Sequence, residues 1–344
     1  MISLESFKVL KKLWVRDISI EPKKVKATYC VEKFSGEDSA FELIYSYDKA
    51  YFNKKDPEDV NLASMMLAQV ALNYGLFFET IEFDGLYDKT DQQFIKGMME
   101  NTSREILTNK LLIANEFLKP PFDNLKAEKR ERYTQANIVF TNTRFEDLKL
   151  HKTKDETDPD KYAILSSGGK DSLLTYGMIK EIGEPYPVFI NEAGRHWFTA
   201  VNAHRYYKGI EPNTSKPWCN SDRLFNWMLK QFPFIKENYK NIRSDIYPVR
   251  LWTVAVFLFG VLPVARKKGI RNVLIGDEYD TTVKGNTAGI SHYNALYDQS
   301  KYFDNAMTRY YTAKGWQIYQ FSLLRSLSEL LIINILIKRY TELQ

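Results

Sequence analysis

A short run of glycine, hydroxyl and charged residues in the middle of the chain has the composition of a phosphate-binding turn. It reads Ser167-Gly168-Gly169-Lys170-Asp171-Ser172. An apolar segment precedes it, and the apolar residues after it, from Leu173 and Leu174 onward, follow helical spacing, which predicts strand, turn and helix in that order. The first turn of a helix has backbone N–H groups without intrahelical partners and carries partial positive charge. We therefore expect an anion such as a phosphate to bind on this turn.

Each residue type in this run has a predicted part in that site. The two glycines let a phosphate approach the backbone without interference from a Cβ atom. The hydroxyls of Ser167 and Ser172 can donate hydrogen bonds to phosphate oxygens, and Lys170 adds positive charge. Asp171 offers a carboxylate to a Mg²⁺ ion that bridges the same oxygens. A phosphate-bearing ligand accompanied by Mg²⁺ is thus expected.

Two other interpretations of this run are a helix N-cap without a ligand and a Walker A loop. Most isolated strings of this type are glycine-bearing helix N-caps without a ligand, but the strand predicted before this one favours the anion site. A Walker A loop requires GxxxxGK[ST], whereas Lys170 is followed here by Asp171. Transfer of a γ-phosphate, the chemistry of a kinase, is therefore disfavoured.

The hexapeptide resembles the SGGxDS motif of the PP-loop ATP pyrophosphatases at all five fixed positions. The resemblance implies that ATP is held by its β- and γ-phosphates, which leave as pyrophosphate while an acceptor oxygen is adenylated. It also implies an α/β fold with a doubly wound, mainly parallel sheet. The rhythm of the sequence agrees, since short apolar strands predicted at 162–165, 186–190 and 272–275 alternate with helical patterns.

Further candidates stand where these predicted strands end, because open α/β sheets bind ligands at the carboxyl ends of their strands. Asn191, Glu192 and Ala193 follow the second strand, and Gly276 follows the third. Related enzymes place adenine at this edge, and by that resemblance these four residues are predicted to border the adenine or the ribose.

Acidic residues follow Gly276 directly. Asp277 and Glu278, with Asp280 close behind, put three carboxylates at the same predicted edge of the sheet. Such a cluster can bind Mg²⁺ or orient a substrate cation. A solvated acidic loop without a ligand is the alternative.

Besides Asp277 and Glu278, three further residues are candidates for contact with the substrate or for catalysis. Arg195 can hold a carboxylate or phosphate with two hydrogen bonds, or it can pair with Glu192 on the surface. His292 and Tyr293 stand among polar residues, which leaves a catalytic role open. A histidine beside aromatic residues is, however, more often packed and hydrogen-bonded.

The sequence predicts a smaller α+β domain over residues 1–150 and an ATP-binding domain over residues 151–344. The polar run 151–160 lacks the apolar residues of a core and marks the boundary. In the first domain, alternating apolar residues predict a hairpin with strands at 24–31 and 40–47, and helices are predicted at 57–74 and 91–118. The apolar segment 251–265 is too short to span a bilayer and is predicted to form a buried helix.

Composition limits the classes of partner and the location. The 48 basic and 43 acidic residues give a formal net charge of +5 without a basic block, which argues against nucleic acid as a partner without excluding it. Cys30 and Cys219 are the only cysteines and lie far apart, so neither a four-thiol zinc site nor a disulfide framework is expected. No secretory signal or membrane span is expected, and the cytoplasm is the predicted location.

A looser resemblance links the chain to the epimerases that act on UDP-N-acetylmuramoyl-L-alanyl-L-glutamate with release of AMP and pyrophosphate. It lies in the α+β first domain, the GGKDS loop and the stretches 292–303 and 323–330. It implies adenylation of the glutamate carboxylate of a nucleotide-sugar peptide, which acidifies the α-proton so that a base can remove it. The alternatives are a tRNA- or nucleobase-modifying enzyme of the same superfamily and a non-catalytic ATP-binding module.

The last predicted helix, at 330–337, is strongly apolar and is expected to be covered on most sides. The epimerases carry further sequence after the corresponding helix, so we expect that this chain lacks a C-terminal segment. Otherwise the helix is expected to be covered by the first domain or by the second copy in a homodimer.

Overall fold

The computed structural model describes residues 1–143, 156–191, 197–244 and 246–343 of the chain. Glu192, Ala193 and Arg195, which the sequence singles out as candidates, lie outside these residues, as does half of the polar run predicted as a domain boundary. In the described residues the chain forms a mixed α/β structure with two main sheets, one of which is parallel throughout.

The first part of the chain forms most of the larger sheet. In chain order its elements are β1 Leu10–Glu21, β2 Lys24–Glu32, β3 Asp38–Ser46, α1 Pro57–Ala68, β4 Phe78–Asp84, α2 Lys89–Ile106 and β5 Asn137–Thr141. Side chains of β2 alternate between buried and half-buried, as expected of a strand with one face on a core. The predicted hairpin is confirmed, since β2 and β3 pair antiparallel from Lys24 opposite Ser46 to Glu32 opposite Asp38.

The second part of the chain supplies the remaining elements. In chain order they are β6 Asp158–Leu165, α3 Lys170–Ile182, β7 Glu184–Val188, α4 Trp197–Ile210, β8 Trp218–Cys219, α5 Ser221–Leu229, α6 Val254–Lys267, β9 Ile270–Leu274, β10 Gly285–Thr287, β11 Ile290–His292, α7 Lys301–Ala313, β12 Tyr319–Phe321 and α8 Glu329–Arg339. The three strands predicted here are confirmed as β6, β7 and β9, with ends shifted by a few residues. The predicted buried helix is confirmed as α6.

Strand order distinguishes the two sheets. The larger sheet has the order β5-β4-β1-β2-β3-β8, in which β5, β4 and β1 are parallel and the other neighbours are antiparallel. The smaller sheet has the order β12-β9-β6-β7, and all its pairs are parallel. After β6 the chain continues to β7 on one side, whereas β9 and β12 lie on the other. Strand order therefore reverses between β6 and β9, the position at which such sheets form a crevice.

Both faces of the parallel sheet are covered because its strands direct apolar side chains to both sides. Ala163 of β6 and Val273 of β9 belong to the main core, which includes α6. Ile164 and Leu274, the next residue in each strand, belong to a second core formed with α3, α4 and α8. Burial on both faces is typical of parallel strands.

The two sheets are connected through β8. Trp218 and Cys219 pair with β3 of the larger sheet, and Trp218 also bridges to Asn191 just beyond β7. The main core extends through both sheets without interruption. The division at residue 150 stays a prediction, but residues far beyond it complete the edge of the first sheet.

The apolar helix near the end of the chain is α8. Ile332 and Leu336 are buried in the second core, whereas Leu330 is 80% exposed and Ile337 is 51% exposed. The residues that the structure describes therefore cover one side of this helix rather than most of it. Nowhere in the described ranges is a helix both long and apolar enough to cross a membrane.

Candidate nucleotide-binding site

A cavity of about 360 Å³ lies at the carboxyl ends of β6, β7 and β9, beside the reversal of strand order. One part of its wall is apolar and consists of Leu165, Ile190, Ala200, Val254, Phe257 and Ile275. The other part is polar and consists of Ser166, Ser167, Asp171, Ser172, Asp277 and Gln299. A largely apolar cleft with a few convergent polar groups is the usual form of a small-molecule site.

Gly168 determines the shape of the turn between β6 and α3. Its φ of +77° lies in the left-handed region that favours glycine. A Cβ atom at this position would lie 2.7 Å from the carbonyl oxygen of Thr199 and 2.9 Å from the Cβ of Ala203, both in α4. Gly169 has a φ of −82°, and the nearest contact of a Cβ there would be 3.6 Å away. The requirement for glycine is therefore strict at Gly168 and loose at Gly169.

Three serines have different parts in this turn. Ser166 Oγ donates to Ser172 Oγ at 2.9 Å and accepts from the N–H of Gly168 at 3.2 Å. Ser172 Oγ donates to the carbonyl oxygen of Gly169 at 3.0 Å. The buried Ser172 hydroxyl thus helps to hold the turn together, and Ser167 is exposed. Both serines line the cavity, and donation from either to a phosphate stays a prediction.

Lys170, the first residue of α3, is surrounded by carboxylates. Its Nζ lies 2.9 Å from Asp171 Oδ1, 3.4 Å from Glu278 Oε1 and 3.6 Å from Glu329 Oε1. Burial acts to lower the pKa of Lys170, but Asp171 and Glu278 outweigh it and the pKa is raised, so the ammonium stays charged. Burial raises the pKa of Glu278, against the opposing effect of Lys170. The positive charge predicted for the loop is present but already compensated.

Asp277 is a buried carboxylate of the cavity wall, only 5% exposed. Arg325, which follows β12, binds Asp277 at 3.3 Å and binds Asp304 of α7 more closely at 2.6 Å. The same guanidinium donates to Thr281 Oγ1 and to the carbonyl oxygen of Gln299. Burial raises the pKa of Asp277 well above its usual range, with Arg325 opposing. The guanidinium of Arg325 therefore forms ion pairs with two buried carboxylates at this end of the cavity.

Gly276 brings the end of β9 against the phosphate loop. A Cβ atom at Gly276 would lie 2.8 Å from the Cβ of Asp171 and 2.9 Å from its carbonyl carbon. The structure thus brings Asp171 and Asp277 together on one cavity wall. Gly276 also lines the cavity, and its place beside adenine or ribose stays a prediction.

The acidic residues near the cavity bear on how a metal ion could be bound. Among the described residues, no group of three or more His, Cys, Asp or Glu side chains is arranged to hold a metal ion. Asp277, Glu278 and Asp280 therefore do not form a three-ligand metal site, and contact of Asp277 or Glu278 with a substrate stays a prediction. Mg²⁺ often binds through one or two carboxylates and takes phosphate oxygens and water as its other ligands. Asp171, which is half-buried and lines the cavity, fits that arrangement.

Asn191 lies at the predicted edge, but its backbone is used in joining the sheets. Its N–H donates to the carbonyl oxygen of Pro217 at 2.8 Å, and its own carbonyl oxygen accepts from Cys219 at 2.9 Å. The neighbouring Ile190 is the residue of this segment that lines the cavity. A direct part for Asn191 in binding a nucleotide stays a prediction.

His292 and Tyr293 do not line the cavity. His292 Nδ1 accepts from the N–H of Asn294 at 3.1 Å, so Nε2 carries the proton and donates to Thr287 Oγ1 at 2.9 Å. Burial lowers the pKa of His292, which keeps the ring neutral. The N–H of Tyr293 donates to the buried carboxylate of Glu105 at 2.9 Å. These contacts shape the loop after β11, and a catalytic role for either side chain stays a prediction.

The sequence did not indicate the apolar wall of the site, nor four of its polar residues: Ser166, Gln299, Asp304 and Arg325. Ser166 could have been found, because it is a hydroxyl residue directly before the motif. The other three become neighbours of the cavity only when β12 pairs beside β9 and α7 packs on β12. No local spacing signals that arrangement.

Asp298 closes the N-terminus of α6 beside the cavity. Its Oδ2 accepts from the N–H groups of Thr253 and Val254, both at 2.9 Å. Burial raises the pKa of Asp298 to about 6, although these N–H groups act to lower it. The charge of the Asp298 carboxyl therefore changes near pH 6, where the protein can be studied without extremes of pH.

We expect Asp298→Asn to flatten part of the pH dependence of stability. A carboxyl with a folded pKa near 6 and an unfolded value of 3.8 stabilises the fold most below the unfolded value. That contribution is lost as the pH rises through 6, by about 3 kcal/mol. Urea unfolding of both proteins between about pH 4 and pH 7 measures it. A difference between the proteins that stays constant with pH would contradict this role.

Comparisons with known proteins add no further assignment. No protein-family model and no curated protein matches the chain. The chemical interpretation therefore depends on the cavity, the geometry of the turn and the resemblance of the motif.

Proposed function

We propose that the chain is an enzyme that binds ATP with Mg²⁺ in this cavity, cleaves ATP between the α- and β-phosphates and transfers AMP to an acceptor oxygen. The observation that carries the proposal is the SGGKDS turn at the carboxyl edge of a parallel sheet, opening into a cavity with one apolar and one polar part. The reversal of strand order and the helices on both faces support a doubly wound fold of PP-loop type.

The two parts of the cavity suit the two ends of ATP. The apolar wall, which includes Ile190, Phe257 and Ile275, suits a purine ring. The turn and the first N–H groups of α3 suit the β- and γ-phosphates. These donors are fixed before the reaction, so they are in place to stabilise the charge that develops on a leaving pyrophosphate.

The charges of the polar wall favour a nucleotide that arrives with a divalent cation. Asp171 and Asp277 lie on this wall, and Lys170 is already paired with carboxylates. A triphosphate without a metal ion would bring more negative charge next to these carboxylates, which would repel it. Mg²⁺ held by Asp171 supplies the compensating positive charge when it is bound.

The reaction forms a bond between the acceptor oxygen and the α-phosphorus and breaks the bond between that phosphorus and the oxygen bridging to the β-phosphate. The electron pair leaves with pyrophosphate. By resemblance to the epimerases, we propose the glutamate carboxylate of a UDP-muramoyl dipeptide as the first acceptor to test. The cytoplasm stays the predicted location.

Product analysis tests this function. The purified chain is incubated with ATP, Mg²⁺ and UDP-N-acetylmuramoyl-L-alanyl-L-glutamate, and in parallel with tRNA and with no acceptor. We expect acceptor-dependent release of AMP and pyrophosphate in equal amounts. ADP and phosphate would contradict the assignment. Release only with tRNA would favour the tRNA-modifying alternative, and ATP binding without any turnover would favour a non-catalytic module.

A further inference from the structure

Gln299 is the polar residue of the cavity wall that belongs neither to the phosphate loop nor to the segment after β9. Ser166, Ser167, Asp171 and Ser172 are in or next to that loop, and Asp277 follows the glycine that packs on Asp171. Gln299 instead follows Asp298, whose carboxylate accepts from the N–H of Val254 on the apolar wall. The carbonyl oxygen of Gln299 accepts from Arg325, which also binds Asp277, so Gln299 lies where the apolar and polar parts of the wall meet. With the phosphates on the loop, the base is expected to reach this position.

The main chain of Gln299 is fixed while its side chain stays available. Its N–H donates to the carbonyl oxygen of Leu296 at 3.1 Å, and its carbonyl oxygen accepts from Arg325 Nη1 at 2.7 Å. Its carboxamide forms no hydrogen bond with any residue in the part of the chain that the structure describes. A polar side chain without a protein partner, on a fixed backbone in the wall of a cavity, is suited to pair with a ligand.

The chemistry of a carboxamide matches one edge of adenine. The carboxamide carries a donor NH₂ group and an acceptor oxygen side by side. The 6-amino group of adenine is a donor that lies next to an acceptor nitrogen of the ring, so two hydrogen bonds can form at once. A purine without the 6-amino group offers only the acceptor.

We propose that Gln299 binds the 6-amino edge of adenine and is the residue by which this site selects ATP. The inference rests on the proposed ATP site and adds its base-specificity determinant. The apolar residues Val254 and Phe257 supply the contact with the ring, and Gln299 supplies the contact that distinguishes one purine from another.

The test compares two nucleotides in two proteins. Affinities for ATP and for purine riboside 5′-triphosphate, which lacks the 6-amino group, are measured with Mg²⁺ by titration calorimetry. We expect the wild-type protein to bind ATP tighter by about tenfold or more. Gln299→Leu is expected to bind the two nucleotides equally, because the variant and the modified ligand remove the same interaction. An ATP preference that is unchanged in Gln299→Leu would overturn the inference.

Two further variants supply a control outside the cavity and a replacement for a variant that does not fold. Gln317→Leu makes the same replacement outside the cavity wall and is expected to leave both affinities unchanged. Gln299→Met serves where the leucine variant does not fold; its side chain has no NH₂ donor and no amide oxygen, and it is expected to abolish the preference for ATP. Failure of the wild-type protein to bind either triphosphate would overturn the ATP site and this inference together, whereas ATP binding with an unaltered preference overturns the inference alone.

Discussion

Gly168→Ala is expected to weaken ATP binding by about a hundredfold, since a displacement of about 1 Å at a positioned group has effects of that size. The added methyl group would meet the Thr199 carbonyl oxygen at 2.7 Å and the Ala203 Cβ at 2.9 Å. The positive φ is also strained for alanine. The turn must therefore move away from α4, and its N–H groups no longer converge on the position of the phosphates. Titration calorimetry with ATP and Mg²⁺ measures the loss.

Gly209→Ala is the matched control for this variant. Gly209 lies in the same helix as Thr199 and Ala203, and a Cβ atom there would have nothing within 4 Å. The control is expected to bind ATP as the wild-type protein does and to gain slightly in helix stability. Equal affinities for ATP in Gly168→Ala and Gly209→Ala would show that the phosphates are bound elsewhere.

Arg325→Leu is expected to lower the free energy of unfolding by about 3–5 kcal/mol near neutral pH, as is typical when one partner of a buried ion pair is removed. Asp277 and Asp304 are both buried, and Arg325 lies within 3.3 Å of each. Without the guanidinium, two buried carboxylates are left close together with their negative charges uncompensated. Urea unfolding measures the change, and Arg325→Lys, which keeps a positive charge, is expected to lose less.

The pH dependence of the Arg325→Leu defect gives a second check on the same pair. Burial already raises the pKa values of Asp277 and Asp304, and loss of Arg325, which opposes that rise, raises them further. A carboxyl with a raised folded pKa stabilises the fold below its unfolded pKa and loses that contribution as the pH rises through the folded pKa. The defect should therefore be larger at high pH than at low pH. A defect that does not vary with pH would show that lost packing, rather than charge, is its cause.

Strands with a regular pattern could be predicted from the sequence, and strands defined by distant pairing could not. The hairpin of β2 and β3 and the apolar strands β6, β7 and β9 carry their own periodicity. β1 does not, because a bulge between Arg16 and Ser19, with Asp17 at a φ of +54°, interrupts the alternation. β8 and β12 are two and three residues long, and only their pairing partners make them strands.

The same distinction holds for the candidate site. Its loop could be predicted because strand, glycine turn and helix are consecutive in sequence. The pairing of Arg325 with Asp277 joins residues that are distant in the chain, and it depends on β12 lying beside β9. The residue type of Ser172 predicts that its hydroxyl can bind phosphate, and the packing of the turn also gives this hydroxyl the carbonyl oxygen of Gly169 as a partner. Residue type predicts what a group can do, and packing decides which partner it meets.

A structure of the protein with Mg²⁺ and α,β-methylene-ATP, which cannot be split between the α- and β-phosphates, tests the central claim most directly. We expect the β- and γ-phosphates on the turn from Ser167 to Ser172, the metal beside Asp171 and the base against Ile190 and Phe257. The triphosphate bound away from the turn, or the base and phosphates in exchanged positions within the cavity, would contradict the proposed ATP site.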